Sequence, residues 1–178
     1  MKKYLLIAGL LLLSACQSEE IDETPIEDPI TEEPAVEEPI VLTYIKLEDD
    51  GATGMPVGCG DSSIAVEMDP QPILTLEGEE KVEWVLEELF SNEDWEETGL
   101  YNALDESALT VDSVSIEGDI LTVALSGELL LGGTCDDPRA HAQITKTIEA
   151  NSGDLDYSTL LVTLNGQDLS IYLSGKGE

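Results

Sequence analysis

The chain has 178 residues, 39 of them acidic and 7 basic, for a formal charge of −32. A field of that sign repels nucleic acid and anionic lipid headgroups, which excludes nucleic-acid partners, and it draws cations and basic proteins. Solubility alone also accounts for it, because an acidic surface keeps chains dispersed, above all in salt that screens self-repulsion.

The first segment reads MKKYLLIAGLLLLSACQSEE. Lys2 and Lys3 make a basic start, and Leu5 to Leu13 an uncharged apolar core. That core is shorter than the ~20 apolar residues of a permanent span. A basic start, a short apolar stretch and small residues at a cut describe a secretory signal over residues 1–15. Leu13-Ser14-Ala15-Cys16 resembles the bacterial lipobox. The resemblance implies cleavage before Cys16, attachment of fatty chains such as palmitate to its sulfur, and an extracytoplasmic lipoprotein anchored to a membrane. Gln17 is not the aspartate that retains many lipoproteins at the inner membrane, so the cell membrane and an outer membrane both stay open. An ordinary signal peptide whose cysteine has no role is the alternative. Losing residues 1–15 removes Lys2 and Lys3, which takes the charge from −32 to −34.

Residues 16–40 follow as a tether. The stretch QSEEIDETPIEDPITEEPAVEEPI holds ten acidic residues and no basic ones, with Pro29, Pro34 and Pro39 at five-residue intervals. It has too little apolar surface to fold, and proline and like charge keep it extended.

Residues 41–178 form one domain of ordinary size with an aliphatic core. VLTYIKL (41–47) reads as a strand, and SIAVEM (63–68) as a second. Val82, Val85, Leu86, Leu89 and Phe90 fall on one face of a helix over 78–90, with glutamates on the other. In SVSIEGDILTVAL (113–125) Gly118-Asp119 makes a two-residue turn. That register sets Ile116 against Leu121 and Val114 against Val123, all toward the core. CDDPRAHAQITKTIEANSG (135–153) reads as the second helix. Asp137 is its expected cap and Pro138 its first helical residue; Ala140, Ile144, Thr147 and Ile148 face inward. STLLVTLNGQDLSIYL (158–173) gives a strand, an Asn165-Gly166 turn and a short last strand. The order β-β-α-β-β-α-β-β predicts an α+β fold, a small, mostly antiparallel sheet with two helices packed on one face.

With Cys16 assigned to lipid, Cys59 and Cys135 remain. On an oxidising side of the membrane such a pair favours a disulfide. A free or metal-bound pair, and a nucleophile with His141 as base, are the alternatives. Asp61, Asp136 and Asp137 converge if the disulfide forms, which makes them a candidate weak Ca²⁺ site. The plainer reading has Asp137 capping a helix, Asp61 capping a turn and Asp136 in solvent. Arg139, the single arginine, answers the aspartates before it, and His141 is a half-exposed helix residue. Trp84 and Trp95 pack at the core edge, with Trp95 a contact residue if exposed. No G-x-S-x-G, H-E-x-x-H or phosphate loop is present, and no cofactor is called for. A carboxylate pair of the glycosidase kind would leave no trace in spacing.

GCGDS (58–62), GLYNAL (99–104), the hairpin VDSVSIEGDILTVALSG (111–127), GGTCDDPR (132–139), AQITKTI (142–148) and VTLNG (162–166), in this order, resemble the GerMN (sporulation and spore germination) domain family. Asp105 stands where that family usually has proline. The resemblance implies an α+β domain similar to the ring-building folds of envelope assemblies, a structural Cys59–Cys135 bridge and no catalytic residue. A spore role does not follow, since such domains also occur in envelope lipoproteins of bacteria that never sporulate. The expected function is protein–protein assembly or scaffolding with an envelope partner. A binding module for a small ligand, a cation or a cell-wall polymer is the second reading, and a cell-wall hydrolase the third.

Overall fold

The computed structural model describes residues 39–68, 76–91 and 98–175. The signal segment, Cys16, the tether up to residue 38 and Trp95 lie outside them. The elements run β1 (Ile40–Lys46), β2 (Met55–Gly58), β3 (Asp61–Met68), α1 (Gly78–Ser91), β4 (Ala108–Glu117), β5 (Ile120–Glu128), α2 (Asp136–Asn151), β6 (Thr159–Leu164), β7 (Gln167–Asp168) and α3 (Leu169–Ser174). The α+β class is as expected, but the strands divide between two sheets. One is antiparallel with order β1-β3-β2; the other has order β4-β5-β6-β7, with β5 and β6 parallel. A parallel pair needs a long crossover, and the segment carrying α2 supplies it.

One apolar core unites both sheets. It gathers Ile40 and Leu42 of β1, Val82, Val85, Leu86 and Leu89 of α1, and Leu121, Val123 and Leu125 of β5. Ala140, Ile144 and Ile148 of α2 join Val162 and Leu164 of β6 there, with Trp84 and Phe90 packed at its margin. The β4–β5 hairpin has the register its alternation dictates, Ile116 opposite Leu121 and Val114 opposite Val123, around Gly118-Asp119. Leu121 and Val123 are fully buried, while Val114 and Ile116 pack half-buried against the core. A bulge between Val111 and Ser113 was not legible in that alternation.

Three local expectations change. β2 precedes Cys59, so the segment read as a loop is a hairpin arm. The last strand stops after β7: the Asp168 carboxylate accepts from the N–H groups of Ser170 and Ile171 and starts α3. Leu169, Ile171 and Leu173 alternate as a strand would, yet only Leu169 and Leu173, one helical turn apart, are buried, while Ile171 is 58% exposed. Finally, Cys135 is the cap residue of α2, without a side-chain cap bond, and Asp137 lies inside the helix.

The outer edge of β1 is covered by a polar stripe on α2. Asn151 bonds both the N–H and the C=O of Val41, at 3.1 and 2.7 Å. Thr147 Oγ1 accepts from Thr43 N–H at 3.0 Å, and Gln143 Nε2 donates to Thr43 C=O at 3.2 Å. Four helical residues rise about 6 Å, close to the roughly 6.7 Å of two strand residues, so Asn151 and Thr147 fall beside Val41 and Thr43, and Gln143 takes the remaining carbonyl of Thr43. Ile45 completes the edge by exchanging both backbone bonds with Tyr101. An edge that would template foreign strands is thereby closed from within.

Candidate functional site

GCGDS forms the tip of the β2–β3 hairpin. Gly58 pairs with Asp61, and Cys59-Gly60 is the two-residue loop between them. Both loop residues have positive φ, 52° and 77°, the combination of a type I′ turn. Glycine meets that demand freely, whereas Cys59 meets it against its own Cβ. Its sulfur is bonded to Cys135 at 2.02 Å, across a sequence separation of 76. In the chain-entropy model a closed loop of that length stabilises by about 4 kcal/mol. The bond ties the hairpin tip to the cap of α2.

Beneath the disulfide the same two elements are joined a second time. Arg139, one turn into α2, donates from Nε to Asp61 Oδ2 at 2.7 Å and pairs with the same oxygen through NH2 at 2.5 Å. Its NH1 donates to Asp136 Oδ1 at 2.9 Å. Asp61 is only 2% exposed and Asp136 4%. Each carboxylate has further donors: Glu48 N–H to Asp61, Gly132 N–H and Tyr101 Oη–H to Asp136. The Arg139 guanidinium also lies 5.3 Å from the Tyr101 ring centroid, within cation–π range.

Burial works against the charge on Arg139, but its bonds to Asp136 and Asp61 outweigh that and raise its pKa. Burial first, and then the bond to Asp136, raise the Tyr101 phenol. In the adjoining loop, Asp49 is held well below the usual carboxylate range by the Thr53 backbone N–H and by Ser62.

Two of the three aspartates considered for Ca²⁺ therefore do meet, but the cation between them is Arg139. Asp137 is half-buried beside an open depression lined by Leu131, Gly133 and Thr134 and is bonded to neither. Among the described residues no group of three or more His, Cys, Asp and Glu side chains is placed to hold a metal ion. His141 is half-exposed, with Nε2 3.3 Å from Ser170 Oγ, and Cys59 and Cys135 are bonded to each other.

Sequence reasoning missed Tyr101, Gln143 and Asn151. GLYNAL delivers Tyr101 to the clasp and puts Ala103 N–H on Gln143 Oε1 at 2.7 Å. The available signal was the four-residue spacing of Gln143, Thr147 and Asn151 beside the apolar stripe of α2.

Compared with protein-family models, curated proteins and solved structures, the chain matches none.

Proposed function

We propose that the protein is a lipid-anchored extracytoplasmic protein whose folded domain, GerMN-like by the sequence words given above, serves without catalysis as a scaffold for protein assembly in the cell envelope. The observation that carries this reading is the clasp. A bond between Cys59 and Cys135 belongs to an oxidising compartment, in agreement with the lipobox-like Leu13-Ser14-Ala15-Cys16. The single arginine and the two buried aspartates beside it are paired to one another, as a device that fixes two elements together requires.

Metabolic labelling with an alkyne fatty acid, followed by mass spectrometry of the N-terminal peptide, tests the anchor. Label is expected on Cys16 and lost in Cys16→Ser. Cross-linking in intact cells and pull-down from membranes tests the scaffold, with a defined envelope protein expected. Native protein bearing no acyl chain and two alkylatable thiols would overturn the placement. Failure to recover any cross-linked protein, together with a saturable ligand shift in melting temperature, would replace scaffolding by ligand binding.

A further inference from the structure

The disulfide and the Arg139–Asp61 pair are parallel connectors between the β2–β3 tip and the first turn of α2, and Asp136 holds Arg139 from within the helix. They differ in access. Cys59 is exposed and Cys135 half-buried, whereas Asp61 and Asp136 lie inside. A thiol can reach the covalent connector while the ionic one stays shielded.

Backbone strain collects at the same end. Among the described residues the non-glycine positions with positive φ are Glu48, Asp50, Cys59 and Asn165, and the first three adjoin the clasp. Glu48 N–H bonds Asp61, and Asp50 N–H bonds the Gly60 carbonyl. Left-handed residues with a Cβ persist where surrounding contacts hold them, and such positions gather at switches and clamps.

We propose that Cys59–Cys135 is a thiol–disulfide exchange site for a dithiol protein of the envelope, and that its opening loosens the Cys59-Gly60 turn and the loop before α2 while the Arg139–Asp61 pair keeps the hairpin docked and the domain folded. This deepens the clasp reading and takes from it only the compartment. A thiolate of the dithiol attacks the Sγ of Cys59, the more exposed of the two residues, forming a mixed disulfide, and Cys135 departs as a thiolate that takes up a proton. The second sulfur of the dithiol, as thiolate, then attacks the mixed disulfide and releases Cys59, which is protonated in turn. The domain gains two electrons and two protons, and the dithiol becomes a disulfide. Cys135 leaves at the cap of α2, where the helix amides favour a thiolate. Asp136 and Asp137 oppose it, and Arg139 neutralises the first of these.

The test uses the full oxidised chain in native buffer, with dithiothreitol and, separately, a purified Cys-x-x-Cys exchange protein. Alkylation of Cys59 and Cys135 and hydrogen exchange are read together. Both thiols are expected to alkylate without denaturant. Exchange should then rise at residues 57–60 and 133–135 while β5 and β6 keep their protection. With the bond removed, Cys59→Gly/Cys135→Ser should hold the tip closed roughly five- to thirty-fold better than Cys59→Ser/Cys135→Ser, because glycine carries no left-handed penalty. Three results would overturn the proposal: a bond that yields only in denaturant, reduction that strips protection from β5 and β6 as well, or reduction that leaves tip exchange unchanged. Since the protein is purified, these outcomes are independent of whether Cys16 is acylated.

Discussion

Replacing Arg139 by methionine keeps the length and apolar stem of the side chain and deletes the cation between two buried carboxylates. Asp61 would keep the Glu48 N–H, and Asp136 the Gly132 N–H and the Tyr101 hydroxyl, but neither would face a positive charge. Removing one side of a buried pair costs about 3–5 kcal/mol. For a domain of this size that corresponds to a fall in Tm of about 10–15 °C. Urea unfolding of both proteins at pH 7, with the disulfide intact, measures this directly. Asp61→Asn/Asp136→Asn/Arg139→Met, which removes all the charges, keeps carbonyl acceptors for the Glu48 and Gly132 N–H groups and lets the Tyr101 hydroxyl accept from the amide introduced at position 136, should regain more than half of the loss. A loss under about 1 kcal/mol at pH 7, or a triple variant no more stable than Arg139→Met, would refute the idea that these charges are buried and mutually dependent.

Gln143→Leu should cost about 2–5 kcal/mol in the same assay, because it orphans the Ala103 N–H and the Thr43 carbonyl in the interior. Asp49→Asn should flatten the acid limb of the stability curve. The native pKa of Asp49 lies below its unfolded value, so its contribution is complete above about pH 4 and is lost as pH falls through the native value. Tyr101→Phe should remove part of the alkaline limb instead. The native pKa of Tyr101 lies above its unfolded value, so its contribution is complete below about pH 10 and is lost as pH rises toward the native value.

What was legible in the chain was what neighbouring residues encode. Gly118-Asp119 between two alternating runs fixes the β4–β5 register, because a slip of one residue would turn Leu121 and Val123 outward. The apolar stripe 82/85/86/89 and the inward-facing set 140/144/147/148 give both long helices and the faces they bury. Local pattern misled where two periods agree over a short stretch: Leu169, Ile171 and Leu173 fit a strand until Asp168 is seen capping a helix. It was silent where the polar partner is distant. Nothing near Asn151 announces Val41, 110 positions away, and nothing near Asp61 announces Arg139, 78 positions away.

The sequence by itself therefore determined the helices, the central hairpin, the α+β class and the thiols with reason to join, since hydrophobic period and turn chemistry act over a few residues. Only the tertiary structure decided that the strands form two sheets, that α2 seals the edge of β1, and that the cation between Asp61 and Asp136 is the protein's own arginine. Those outcomes depend on which surfaces the closed chain brings within about 3 Å of each other, a hydrogen-bond distance that residue order does not contain.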